Sequence, residues 1–370
     1  MEKEQKLWLT IGLVGIVVLL AVYVIGSFGG LTGSVILASD ATDVVRIGFM
    51  APLTGDAASY GESIKRGVEL ARKDSGLNNI EITFEDSGCE PKGAVNSINK
   101  LISVNRVQAI VGEVCSGATL AAAPIAERND VVLISSSSTS PKITEAGDYI
   151  FRTVPSDALQ GNFGAQLVYE KGYRKLAILY SNEEYGLGFN NVLVDRFQGQ
   201  VVTSEAFERG ASDLRTQLTK IKNSGADSIY IISNSPDSSI AALKQIKELG
   251  LNIKLFGSEG LKSADILEAG SAAEGLILTT VSSGTTDFAE NHKRVYGEEP
   301  GPFAAQAYDA FMAVAKAIKQ GAKTGAEIKD ALYDIEFNGA SGRIEFDRNG
   351  DVSGNYNVFE VRGGKFVAVE

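Results

Sequence analysis

From residue 44 onward the chain alternates short apolar runs with longer amphipathic ones. Runs over 44–50 and 80–86 predict strands, and the segment between them, 60–74, predicts a helix with Ile64, Val68 and Ala71 on one face. A helix over 91–104 follows, with Ala94, Ile98, Leu101 and Ile102 inward and Pro91 in its first turn, where the missing N–H costs nothing. A strand over 107–111, a helix over 119–128 and a strand over 131–134 continue the alternation. It then restarts: helix 157–171, strand 175–180, helix 185–198, strand 201–207, and helix 213–224 with Leu214, Leu218 and Ile221 aligned. A strand over 228–232, a helix over 238–249 and strands over 254–257 and 275–281 come next. Helices over 303–320 and 325–334 and short strands over 343–346, 356–361 and 365–369 close the chain. Such alternation implies right-handed crossovers and parallel sheets covered on both faces. Roughly ten βα-type units exceed one comfortable sheet, so two α/β lobes are expected.

The N-terminus follows a different pattern. No charged residue occurs between Lys6 and Asp40, and 7–28 is apolar apart from Thr10, Ser27 and three glycines. About twenty apolar residues span a bilayer, whereas a signal-peptide core holds about seven to fifteen. The run therefore predicts an uncleaved transmembrane anchor over 1–30, the alternative being a signal peptide that is cleaved to release a secreted protein. Lys3 and Lys6 precede it, which places the N-terminus inside and the bulk of the chain outside. Residues 31–43 form a short tether.

Charge and composition narrow the function classes. With a net charge of −11 over 370 residues the chain lacks the basic face that a nucleic-acid partner requires. One histidine and two cysteines give no material for a metal cage, and no phosphate loop or GxGxxG follows a strand, so neither metal nor cofactor is expected. His292 falls in the polar helical stretch 288–296 and is expected at the solvated surface.

Candidate chemistry gathers at strand ends. Gly112-Glu113-Val114-Cys115-Ser116-Gly117-Ala118-Thr119 takes a strand into a helix through a small polar turn, and 135–140 follows the next strand. Backbone N–H groups at a helix start lack intrahelical partners and suit an anion such as a carboxylate. Serines also cap helices and turns in many proteins, so both readings stand locally. Gly257-Ser258-Glu259-Gly260 is a third such end, and open α/β sheets bind ligands at the carboxyl ends of their strands. Taken singly, Tyr60, Tyr185 and Phe303 are ordinary aromatics, Glu259 is a loop carboxylate, and Cys89 and Cys115 are either buried thiols or a disulfide.

Taken in order, these stretches resemble the extracytoplasmic substrate-binding proteins of branched-chain amino acid ABC transporters, the leucine/isoleucine/valine-binding type. The resemblance covers about 44–370. It is carried by Ile47-Gly48-Phe49-Met50-Ala51-Pro52-Leu53-Thr54-Gly55 with Tyr60-Gly61, and by Glu85-Asp86-Ser87-Gly88-Cys89-Glu90-Pro91-Lys92-Gly93-Ala94. Cys115-Ser116, Ile134-Ser135 through Thr139 and Pro141, Tyr185-Gly186 and Gly257-Ser258-Glu259-Gly260 complete the set.

The resemblance implies two Rossmann-like doubly wound lobes of the type 1 periplasmic-binding-protein fold, joined by a three-strand hinge and here preceded by one transmembrane helix. The lobes would comprise 44–156 with 283–357, and 157–282 with 358–370. Ser116 and Thr139, helped by the backbone around Ser137 and Ser138, would hold an amino acid carboxylate. Glu259 would meet the ammonium from the other lobe, and Tyr60, Tyr185 and Phe303 would wall the side chain. Asn234 stands where the family has a tyrosine, which opens the pocket to a bulkier or more polar ligand. In an extracytoplasmic chain Cys89 and Cys115, at strand ends of one sheet, are expected to form a disulfide. The implied activity is capture of an amino acid and delivery to an ABC permease, without catalysis. The alternative is a sensing receptor domain of the same fold that binds amides or other small polar solutes.

The anchor is directly testable. The mature protein should retain residues 1–31 and stay with membranes after a high-salt wash; an N-terminus found within 38–41 would show cleavage instead.

Overall fold

The computed structural model describes residues 44–369, so the anchor and tether expected over 1–43 lie outside the described residues. Among the described residues, no helix is long and apolar enough to cross a membrane.

Strands β1 (Val45–Ala51), β2 (Ile80–Asp86), β3 (Ala109–Gly112), β4 (Val132–Ser135) and β5 (Ile150–Arg152) pair in parallel in the order β2-β1-β3-β4-β5. Helices α1 (Ala58–Ser75), α2 (Pro91–Ser103) and α3 (Ser116–Arg128) make the crossovers. The central strands β3 and β4 are buried at every position, as continuous apolar runs covered on both faces require.

A second sheet repeats this winding. β6 (Lys175–Ser181), β7 (Gln200–Phe207), β8 (Ser228–Ile232), β9 (Lys254–Gly257) and β10 (Ile277–Thr280) are parallel in the order β7-β6-β8-β9-β10. Between its strands run α4 (Asp157–Glu170, leading into β6), α5 (Glu184–Arg196), α6 (Arg215–Asn223) and α7 (Pro236–Glu248). The antiparallel pair β13 (Asn357–Arg362) and β14 (Lys365–Val369) extends it beyond β10. After β10 the chain returns to the first sheet through α8 (Thr286–Tyr296), α9 (Ala304–Lys319) and α10 (Gly325–Asp334). A small hairpin, β11 (Glu336–Asn338) and β12 (Arg343–Glu345), precedes β13. The chain thus passes between the sheets three times, through 153–156, 281–285 and 346–356.

In each sheet the strand order reverses once, between β1 and β3 and again between β6 and β8, the position at which open α/β sheets bind ligands beyond the strand ends. The loop after β1 leads to Tyr60, and α3, which follows β3, begins with Ser116. In the second sheet Tyr185, Asn234 and Glu259 follow β6, β8 and β9.

One expectation is corrected here. His292 is 1% exposed rather than solvated, because it shares a face of α8 with Phe288 and packs against Phe288 and Tyr296. Its Nδ1 is 3.0 Å from the Glu298 carbonyl, and burial lowers its pKa.

Helices α1 and α9 approach closely at Gly67, where an added Cβ would stand 2.2 Å from the Ala304 carbonyl oxygen. Gly67→Ala must therefore spread the two helices. The expected cost is about 1–3 kcal/mol, read from the urea midpoint, with a weaker site as well because α9 begins directly after Phe303.

Candidate functional site

Helix α3 begins at Ser116, three residues before the sequence pattern placed it, which sets that hydroxyl in the first turn. Ser116 is buried, and its Oγ accepts the N–H of Ser140 at 3.2 Å, joining the two strand-end turns. Most other hydroxyls here are occupied in the same way. Ser135 Oγ donates to the Glu113 carbonyl at 2.5 Å and Ser137 Oγ to the Val114 carbonyl at 2.9 Å. Ser138 Oγ lies 3.1 Å from each of those carbonyls and 2.6 Å from Thr119 Oγ1. The N–H groups of Ser137 and Ser138 both donate to Ser135 Oγ, at 3.3 and 3.0 Å. Thr139 Oγ1, in contrast, is buried with no partner.

Below the second turn lies Arg152, fully buried. It donates twice to Asp351 at 2.6 Å, once to Thr144 at 2.7 Å, and to the Thr139 and Ser140 carbonyls at 3.1 and 3.0 Å. The guanidinium is neutralised from one side and fixes the backbone of the turn with the other. Cys89 and Cys115 form the expected disulfide, tying the loop after β2 to the residue that precedes α3. Glu113 accepts from Ser87 Oγ and, at 2.6 Å, from the Cys115 N–H, while burial pushes its pKa up to about 7.

The facing wall is acidic. Glu259 is 4% exposed and accepts from Gln160 Nε2 at 2.6 Å, and burial pushes its pKa up to about 7. Asp157, the first residue of α4, is fully buried against the second turn: its N–H donates to the Thr139 carbonyl at 2.8 Å, and the nearby Thr139 hydroxyl favours its charged form. Burial, then the charge of Glu259, pushes it well above the usual carboxylate range. Among the described residues, neither acid forms an ion pair with a lysine or arginine: Arg152 is engaged by Asp351. Lys262 is half-buried over the Phe359 and Phe366 rings, 4.2 and 5.4 Å from their centroids.

The aromatic side chains have their polar ends satisfied. Tyr60 donates its hydroxyl to the Gly260 carbonyl at 2.5 Å, and Tyr185 donates to Ser258 Oγ at 2.7 Å. Their rings, with Phe303, Val114 and Asn234, are left to line a small cavity whose polar ends are Ser116 and Glu259. Phe303 is held at φ +62°, a conformation rare for a bulky side chain. Asn234 Oδ1 is buried without a partner.

Of the residues singled out from sequence, Tyr60, Ser116, Ser137, Tyr185, Asn234, Glu259 and Phe303 line this one cavity. Ser138 and Thr139 belong to the adjoining turn and are not in its wall. Sequence reasoning missed Asp157, Gln160, Glu113 and Arg152 as members of the site. Asp157 reads as an ordinary acidic first-turn residue, and nothing in the apolar periodicity of α4 marks Gln160.

Residues 44–365 match the model of the family described as periplasmic binding protein. The leucine-, isoleucine-, valine-, threonine- and alanine-binding protein of Pseudomonas aeruginosa is 29% identical over 341 residues, covering 87% of this chain and 91% of that protein. Among solved structures, the leucine-binding protein LivK of Thermotoga maritima has a TM-score of 0.83 at 28% identity, covering 88% of this chain and 98% of its own. LivJ of Streptococcus pneumoniae, solved in complex with isoleucine, has a TM-score of 0.81 at 28% identity with the same coverages, 88% and 98%. With the family model spanning nearly all of the described residues, and two similarly wound sheets meeting at one cavity, this chain belongs to the periplasmic binding protein family and has its type 1 α/β fold.

Proposed function

We propose that the protein captures an α-amino acid with an apolar side chain, of branched-chain type, between two closing lobes and delivers it to an ABC permease. The observation that carries this reading is the charge imbalance of the cavity. Glu259 is a buried carboxylate at one end of the cavity and forms no ion pair among the described residues, Asp157 lies buried nearby against Thr139, and the Ser116 hydroxyl stands at the other end. A buried ionised carboxylate is costly unless a cation meets it. A ligand ammonium supplies that cation, and its carboxylate takes the Ser116 hydroxyl at the start of α3, with Thr139 contributing from the adjoining turn. Ser137 and Ser138 shape the turn through Ser135, and Tyr60, Tyr185 and Phe303 enclose the side chain. Asn234 brings an unpaired acceptor to that apolar wall, which admits a side-chain hydroxyl such as that of threonine.

In this reading the lobes comprise 44–156 with 283–357 and 157–282 with 358–370, the three crossings acting as the hinge. The similarity to amino-acid-binding relatives supports the class of ligand, and a carboxylate–ammonium zwitterion suits the cavity better than a neutral amide. The relatives that match are solute-binding proteins, which favours a binding protein over an enzyme. The charge-free run before Asp40 would hold the binding domain to the outer face of the membrane.

Calorimetry of the full chain with leucine, threonine and the keto acid of leucine tests the site. Glu259→Gln should weaken both amino acids by about 2–5 kcal/mol, as loss of one partner of a buried charge pair does, and leave the keto acid nearly unchanged. Leucine binding equal to wild type would remove the ammonium from the assignment and favour neutral solutes.

The same acids set a pH dependence. Glu259 and Glu113 are raised by burial from 4.5 to about 7, so over that interval the folded chain retains protons that the unfolded chain has released. Without ligand, stability should therefore fall as pH rises from about 4.5 to about 7. Saturating leucine should remove the part due to Glu259, and Glu259→Gln should remove it without ligand. Scanning calorimetry across the window checks both, and stability rising with pH in the unliganded protein would contradict the burial of these acids.

A further inference from the structure

Beyond the cavity, the two lobes are joined by one cluster of charges that has no part in lining it. Arg209 lies just beyond the end of β7, in the lobe that carries Glu259, and reaches across the cleft to the other lobe. Its Nη2 donates to Asp56 Oδ1 at 2.5 Å, and its Nη1 is 3.7 Å from Glu90 Oε1. Asp56 precedes α1, the helix that bears Tyr60. Glu90 follows Cys89, so the disulfide links it covalently to the residue before Ser116. The Arg209 side chain is only 14% exposed and that of Asp56 28%, which distinguishes this pair from the more exposed Lys142–Glu184 bridge on the opposite flank, at 65% and 20%. Arg209 also lies close enough to Glu113 in one lobe and Glu183 in the other to stabilise both in their charged forms. Its Nε is buried without a partner.

We infer that Arg209 is a latch: its ion pair with Asp56, backed by Glu90, holds the lobes shut over the ligand without touching it, and so sets the ligand's residence time. Opening the hinge separates Arg209 from Asp56 and Glu90, whose partner lies on the other lobe. Tyr60 with the Gly260 carbonyl and Lys142 with Glu184 also cross the cleft, and among these charges the partly desolvated Arg209 weighs more in closure than a more exposed one does. Because the pair forms only after the lobes approach, its loss should appear in dissociation rather than association. Arg209 is in this sense a positioning residue, acting on affinity through the closed population.

The inference rests on the cleft being the ligand site, and the test separates the two. Leucine association and dissociation are measured by stopped flow on the full chain in detergent, for wild type, Arg209→Gln, Asp56→Asn and the double variant. Each single variant should raise the dissociation rate about fivefold, the upper range for a partly exposed pair, with association changed by less than about twofold. The double variant should be no worse than either single one, and Arg209→Asp combined with Asp56→Arg should recover slow dissociation. Unchanged dissociation in Arg209→Gln, or fully additive losses, would overturn the latch. If wild type binds no leucine, the amino acid assignment fails but the latch is still decided, by spin-label distances between Lys73→Cys and Lys244→Cys in the unliganded protein. Arg209→Gln must then deplete the short-distance population, and an identical distribution would overturn it.

Discussion

Glu259 and Asp157 are buried near each other, and among the described residues no basic side chain forms an ion pair with either. Two carboxylates so placed cannot both ionise cheaply, and each raises the proton affinity of the other beyond what burial alone does. The surroundings sharpen the constraint. The Tyr185 hydroxyl donates to Ser258, Gln160 offers one amide donor to Glu259, and the nearby Arg152 guanidinium is paired with Asp351. A cationic ligand group resolves this, which is why the acid pair constrains the reading of the site more than any aromatic in the wall does.

The opposite wall shows how a hydroxyl-rich turn is made rigid enough to be selective. Of the serines between 135 and 140, most are used internally to weld the turn to the end of β3, and Arg152 fixes its carbonyls from below. A donor used in that way is unavailable to a ligand, but it removes the freedom that ordering on binding would otherwise cost. What remains is a small number of hydroxyls, Ser136 and Thr139 without a partner and Ser116 with its proton still to donate, on a frame that does not need to rearrange. Sequence spacing brings the serines together without revealing this division of labour, because it depends on which carbonyl each hydroxyl reaches.

That distinction describes what was legible in the chain. The strands and helices of both sheets follow from apolar periodicity, since every central strand is covered on both faces and reads as a continuous run. The short strand β5 left no such signal: it has three residues, one of them an arginine whose burial is made possible by Asp351, 199 positions away. His292 failed for a related reason, since a polar helix sequence does not show that α8 turns its histidine into an aromatic cluster. Glu259 was recognisable from the order of its neighbouring motifs. Its relation to Gln160 and Asp157 was not, because those residues lie on α4, about a hundred positions earlier in the chain.

The acid pair and the cleft-edge charges act in opposite directions on closure. Bringing the lobes together removes Glu259 and Asp157 from water, so in the absence of a cation closure either costs desolvation or draws in a proton. Arg209 with Asp56, and Tyr60 with the Gly260 carbonyl, favour the same closure without reference to what the cavity holds. A ligand shifts such an equilibrium only by its differential affinity for the two states. An ammonium that makes contact with both acids in the closed form alone has that differential, whereas a neutral solute of the same shape leaves the acid pair uncompensated. Selectivity for the charged ligand therefore need not reside in the strength of any one contact. It arises because closure opposed by buried like charges becomes favourable only when the ligand supplies the opposite one.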